Sequence, residues 1–228
     1  LWFASVGDSR ICLVRGGGVV QLTRPHTYES DLDKKAACNE ISFEAASADS
    51  QRKALTSYIG MGELSVVLVW GPLMVGGGYY VITGQWDWNV VLASLPYALG
   101  PTLVIFGKHI DKLKQDKAKG IHTLPVIVGD TAARYMGLAI LALQYLLVVY
   151  LVIRGFFSPY MLIVLLAQYA VPPVVRFFSH PKPETRPKGY SKDTWPLWYV
   201  AVAFYHNRTF GLIFLVGLIL DLVLGKLL

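Results

Sequence analysis

The hydrophobic pattern of the chain changes character near residue 64. Before that point apolar residues come in short runs, 1–6, 11–14 and 19–22, the last two separated by a turn at Gly16-Gly17-Gly18. Such runs predict strands, here a small antiparallel meander. After His26 the pattern becomes charged and Ala-rich over 29–38 and 42–48, which predicts two helices with Asn39 as the stop between them. Beyond residue 64 the apolar runs lengthen to 65–83, 88–107, 131–153, 157–178 and 209–227, the last preceded by an amphipathic stretch over 195–205. A helix needs about 20 mostly apolar residues to cross a bilayer. Irregular backbone cannot face lipid, so these runs predict helices. The expected fold is therefore mainly α, a multi-pass transmembrane bundle of about five spans. A short β-meander and helices from an incomplete α/β sandwich precede it, which divides the chain into 1–64 and 65–228.

Proline and glycine refine this picture. Pro96 and Gly100-Pro101 predict a broken second helix leading into a charged loop, and broken helices at membrane depth line cavities. Gly71-Pro72 and Gly76-Gly77-Gly78 predict a kink and close packing in the first span. A phosphate cradle would require a preceding strand and a following Lys, and this triplet has neither.

Composition excludes a disordered or fibrous chain, since 54% of the 228 residues are hydrophobic and 16% charged. The net charge of +6 is unevenly shared, at −1 for residues 1–64 and +7 for 65–228. Five Lys fall in 108–122 and five Lys/Arg in 176–192, while the linkers 83–89 and 154–158 are nearly uncharged. Both basic loops are thus expected on one side, the cytoplasmic one, together with the N-terminal fragment, leaving the C-terminus outside. Charges confined to helix ends form no continuous basic face with interleaved aromatics, so no nucleic-acid partner is expected. Membrane lipid is the expected surround, with Trp86, Trp88, Trp195 and Trp198 as interfacial anchors. Cys12 and Cys38 make no disulfide framework, which points to a reducing compartment. The sequence opens at Leu1 without Met, basic n-region or cleavage site, so no signal peptide is read and the start reads as cut.

The segment 106–125 carries the candidate chemistry, with Asp111 and Asp116 among Lys108, Lys112, Lys114, Lys117 and Lys119. One reading is a topology-setting loop with i, i+4 pairing of Lys112 and Asp116. The other is a diphosphate site, in which carboxylates hold Mg and lysines contact phosphate. Asp111 and Asp116 stand about 140° apart on a continuous helix, so sharing one ion would need a break between them. His109 and His122 do not complete a zinc site, which lacks a convincing third ligand.

Two family resemblances carry these readings further. Residues 1–10 with Gly7-Asp8-Ser9-Arg10, then 15–26, then 54–60, resemble the PPM-type metal-dependent serine/threonine phosphatases. That resemblance implies a β-sandwich whose carboxylates hold metals, with Asp8 near an accessory ion. The family has Asp-His where Pro25-His26 stands, and segments bearing its main metal aspartates are missing. No phosphatase activity is expected, because a lone Asp8 cannot assemble a two-metal site.

Residues 65–228, through Asp116-x-x-x-Gly120-x-x-Thr123-Leu124-Pro125-Val126, resemble the second half of the UbiA-type membrane prenyltransferases. This implies transfer of an isoprenyl group from an isoprenyl diphosphate to a lipophilic acceptor, with Mg as cofactor. By the same resemblance Asp116 and Asp111 are the catalytic, Mg-binding aspartates, and Lys108, Lys112 and Lys119 bind the diphosphate. The chain departs from the family at Lys112 and at Lys108-His109, where aspartate and Asn-Asp are usual. The family's first aspartate-rich motif would precede Ser65 and is not found in 1–64, which implies half a diphosphate site. The resemblances abut at Gly60-Met-Gly-Glu-Leu64 with no connector, and the expectation is a chimera of two incomplete domains.

Overall fold

Residues 12–15, 18–23, 28–48, 62–118, 121–192 and 194–224 are described by the structure, a computed structural model. The chain divides into two units, Leu1–Ile59 and Gly60–Leu228. In the first, β1 (Cys12–Arg15) pairs antiparallel with β2 (Gly18–Gln21), Leu13 opposite Val20 and Val14 opposite Val19. The predicted first strand, at 1–6, lies outside the described residues, so what is seen of the meander is one hairpin. All eight of its residues are exposed. Helix α1 (Tyr28–Ala37) ends at Asn39, whose φ of 58° is left-handed. The amides of Asn39 and Glu40 return to the carbonyls of Ala36 and Lys35, a paired C-terminal cap that satisfies both acceptors. Ser42 then accepts the Ala45 amide at 3.1 Å and caps α2 (Phe43–Ala48). Leu32, Ala36 and Ala46 bury one another between the two helices.

Five helices in the second unit are long and apolar enough to cross a membrane, which matches the predicted number. The first span joins α3 (Gly62–Leu68), a π-helical segment (Val69–Gly76) and α4 (Gly77–Thr83). Pro72 lies inside the π-helical segment, where a missing amide breaks the regular ladder. The second span is α5 (Trp88–Ala118), followed by the short α6 (Leu124–Val128) and the third span α7 (Asp130–Ile153). The fourth combines a 3-10 segment (Pro159–Ala170) with α8 (Val171–Phe178), and the fifth is α9 (Tyr199–Leu224).

Two expectations need correction. Helix α5 is not broken at Gly100-Pro101 but runs for 31 residues through Pro96 and Pro101. Neighbouring helices pack along it, and Gln144 of α7 donates to the Pro96 carbonyl at 2.9 Å. The fifth span does not start at residue 209 either. Its helix begins at Tyr199 and absorbs most of the amphipathic stretch, because the α5 side chain Asp111 caps it there.

Helix α5 is the axis of the bundle: its most apolar window is 56% buried inside the protein, against 11% for the first span. One apolar cluster joins Leu103, Phe106, Ala133, Phe178, Tyr199 and Ala203. A second joins Val148, Leu151, Met161, Val164, Phe210 and Phe214 toward the opposite end. Between them Tyr145 Oη and His206 Nε2 pair at 2.9 Å, joining α7 to α9. Gly107 lets α9 approach α5 closely, since a Cβ there would lie 3.0 Å from the Tyr199 and Val200 backbone. Gly107→Val should therefore destabilise the bundle by about 1–3 kcal/mol through overpacking. Gly77→Ala, in open space on a helix, should be neutral or stabilising. Thermal unfolding of both variants in detergent checks this.

Candidate functional site

Because α5 continues as a regular helix to Ala118, spacing fixes which of its polar side chains share a face. Lys108, Lys112 and Asp116 fall at i, i+4 and i+8, a single stripe rising by about 6 Å per step. His109 borders that stripe, seven residues and about 20° from Asp116. Asp111 lies about 140° around the helix from Asp116, and the structure does not bring the two together.

Asp111 meets the loop between the fourth and fifth spans. Its side chain is 4% exposed. Oδ2 accepts the amides of Trp198 and Val200 at 2.9 and 3.1 Å, and Oδ1 accepts that of Tyr199 at 3.2 Å. Those amides open α9, and the first amides of a helix have no partner within it. Their aligned dipoles favour a negative charge in that position. Lys182 completes the arrangement, donating to Asp111 Oδ1 at 3.3 Å and to the Pro196 carbonyl. Its ammonium also lies 5.3 Å from the centre of the Trp195 ring.

Aromatic rings hold the rest of this loop. Trp198 packs on Phe177 with 4.3 Å between ring centres, and Tyr190 lies 5.2 Å from Trp198. Trp195 and Trp198, expected as simple interfacial anchors, thus also build the cluster beside Asp111. Tyr190 donates to the Leu197 carbonyl at 2.6 Å. Burial, and secondarily the negative charge of Asp111, push its phenol above the ordinary tyrosine range. The 3.6 Å pair of Lys114 with Glu184 is a second tie between the basic segments, which therefore share one end of the bundle.

Asp116 differs sharply from Asp111. Only its backbone carbonyl is engaged, by the Ile121 amide at 2.9 Å, and its side chain makes no polar contact among the described residues. The expected Lys112–Asp116 ion pair is not formed. Lys108 and Lys112 are exposed and equally uncommitted among the described residues, while Lys119 and Asp8 lie outside them. Among the described residues no three His, Cys, Asp or Glu side chains form a cluster able to hold a metal. Mg, however, is commonly held by one or two carboxylates together with substrate phosphates. One free carboxylate beside two free cations fits that arrangement.

Two features escaped the sequence reading. Glu63, placed there at the end of the soluble part, is buried in the first turn of α3, with Oε1 2.6 Å from His109 Nδ1. A cavity of about 720 Å³ opens between the first span, α5 and α9, lined by residues including Met74, Tyr97, Pro101, Phe157, Arg208 and Leu215. Interhelical contacts such as these leave no periodic trace; the i, i+4, i+8 stripe was the one signal the spacing offered.

Comparison with known proteins gives a consistent picture. The profile of the UbiA prenyltransferase family matches residues 53–207, more than half of the chain. That match takes in 54–60, the third stretch of the phosphatase resemblance. The 1,4-dihydroxy-2-naphthoate octaprenyltransferase of Bacillus subtilis is 26% identical over 168 residues, 72% of this chain and 50% of that protein. Its namesake in Haemophilus influenzae is 30% identical over 51% of this chain and 39% of its own. The 2-carboxy-1,4-naphthoquinone phytyltransferase of a Synechocystis strain is 29% identical over 28% of this chain and 20% of its own. The chain thus spans half the length or less of these relatives. No solved structure gives a significant match.

The geometry makes Asp111 a clamp. Asp111→Ala should cost about 3 kcal/mol, since it strips several buried donors of their acceptor. Lys112→Ala should leave stability unchanged; thermal unfolding in detergent compares the two. The raised phenol of Tyr190 adds stability below the ordinary tyrosine range that is lost as pH climbs through its folded-state value. Stability of the intact chain should accordingly fall more steeply at alkaline pH than that of Tyr190→Phe.

Proposed function

The chain belongs to the UbiA prenyltransferase family, and from that premise we propose that it binds an isoprenyl diphosphate on the Lys108–Lys112–Asp116 stripe for transfer of the isoprenyl group to a lipophilic aromatic acceptor. The observation that carries this reading is the division of labour between two nearby aspartates. Asp111 is consumed by the α9 amides, whereas Asp116 is left without a side-chain partner among the described residues on a face it shares with two free lysines.

The physical demand is charge. A diphosphate brings several negative charges to a membrane surface and holds best where cations stand ready. Lys108 and Lys112 offer these one helical turn apart. Asp116 would hold Mg against the diphosphate, and the ion when bound neutralises charge that builds on the leaving phosphates. Asp111 takes no part in holding the ion in this proposal. It fixes the Lys182 loop and the α9 terminus against α5, so that the stripe sits at a rigid end of the bundle. The lipophilic chain would run from this end into the apolar cavity between the first span, α5 and α9. Naphthoate and naphthoquinone acceptors in the names of the relatives support an aromatic acceptor.

The basic end of the bundle is proposed to face the cytoplasm. For residues 1–64 we propose no phosphatase chemistry, since Asp8 alone cannot hold a metal pair.

Binding of radiolabelled farnesyl diphosphate to the full chain in detergent tests the reading directly. It should require Mg, and Asp116→Ala should weaken it at least about tenfold, the worth of one charge-assisted contact. Lys112→Ala should weaken it less. Unchanged binding in Asp116→Ala would sink the assignment. For orientation, a cysteine placed at Lys117 should react with an impermeant maleimide only when the cytoplasmic face is exposed.

A further inference from the structure

The fourth span carries a groove that the proposed diphosphate chemistry leaves unused. It has a volume of about 750 Å³ and is walled by Gln168, Val171, Pro172 and Val175, with Arg176, Ser179 and His180 at one end. Sites for small ligands fall between about 300 and 1,000 Å³. Val174 and Phe178 are fully buried in the core that α8 shares with α5 and α9. Pro172 and Arg176 each stand about 160° around the helix from Val174. The groove therefore lies on the outward face of the span, the side on which a membrane protein meets lipid.

Its polar groups are sorted to one end. Arg176 stands in the last turn of α8 and opens the second basic segment, with Ser179 and His180 just beyond. Among the described residues Arg176 has no acidic partner, whereas Lys182 is engaged by Asp111. Hydrogen bonds fix the backbone here: His180 Nδ1 donates to the Arg176 carbonyl at 2.9 Å, and the Tyr199 hydroxyl donates to the His180 carbonyl at 3.0 Å. Depth decides what fits. Gln168 and Arg176 are eight residues apart, a climb of about 12–14 Å across the 3-10 and α-helical parts of the span. One leaflet of a bilayer's hydrocarbon is about 15 Å deep. An acyl chain anchored at Arg176 thus runs along Val175, Pro172 and Val171 for the depth of its own leaflet. A guanidinium meets a phosphate through parallel charge-assisted hydrogen bonds, the strong kind. The substrate of the Lys108–Lys112–Asp116 stripe is a poorer occupant, because α8 turns Val174 and Phe178, not Arg176, toward α5.

We propose that this groove binds one anionic phospholipid of the leaflet on the basic side, with its phosphate held by Arg176 and Ser179 and one acyl chain lying on Val171, Pro172 and Val175. A zwitterionic lipid is disfavoured, because its headgroup brings its own cation to the guanidinium. The assignment needs only that the five helices span a membrane, and it stands apart from the prenyl-transfer reading.

The test titrates the full chain in neutral detergent with phosphatidylglycerol and with phosphatidylcholine of identical acyl chains, and counts retained lipid by native mass spectrometry. The intact chain should hold one phosphatidylglycerol about tenfold or more tighter than phosphatidylcholine, as expected for a charge-assisted contact. Arg176→Gln should abolish that preference. Val175→Trp, which fills the groove from the outward face, should weaken both lipids alike. Lys117→Gln removes the same charge from another helix at the basic end and should leave the preference intact. Thermal unfolding without lipid should be unchanged in all three, which shows that they are folded. Equal retention of the two lipids by the intact chain, or a preference surviving in Arg176→Gln, overturns the proposal. A preference lost equally in Lys117→Gln overturns it too, since diffuse charge would then explain it. Displacement of the lipid by millimolar inorganic phosphate would make the groove a site for free anions, and displacement by farnesyl diphosphate would give it to the substrate; either result overturns the lipid assignment.

Discussion

A helix that starts inside a membrane protein exposes amides that need acceptors, and here one carboxylate from another helix supplies them. Asp111 joins α5 to the first turn of α9 through three amides and to the intervening loop through Lys182. Gly107, one turn earlier, provides the closeness this requires. The consequences run through the unit: α9 starts at Tyr199, the aromatic loop packs onto the end of α5, and the two basic segments share one end of the bundle. Such a contact matters because lipid offers these amides no acceptor and the Asp111 carboxylate is itself largely out of water.

That clamp also separates the roles of the two aspartates on α5. On a regular helix the two aspartates face different ways, and only Asp111 is committed to side-chain contacts among the described residues. Asp116 shares its face with Lys108 and Lys112. The continuity of α5 is the condition for both roles. A break at Pro101 would have scrambled the register between the buried half of the helix and its charged end.

Much of the fold was legible in the sequence because the membrane filters residues coarsely. Twenty apolar positions in a row leave few options other than a helix, and five such runs gave five helices. Local chemistry was equally readable at Asn39, whose left-handed backbone ended α1 as its position suggested. The failures have a common cause. Residues 199–208 mix polar with apolar positions, so hydropathy excluded them from the span, yet partners from other helices pay their polar cost: Asp111 for the Tyr199 amide and Tyr145 for His206. Proline in α5 misled for a related reason, since its local penalty was visible and the packing of the other helices around α5 was not.

The sequence by itself determined the number of spans, the split of charge between the two units, the basic segments at helix ends and the family likeness that its motif carried. These depend on composition and short spacing, which a linear chain displays. Only the tertiary structure decided that Asp111 is a clamp while Asp116 has no side-chain partner among the described residues, that the second helix stays whole, and that Glu63 stands beside His109 across 46 residues of chain. Each of these is a contact between helices, and its energy comes from bringing two desolvated groups together, which no periodicity along either helix records.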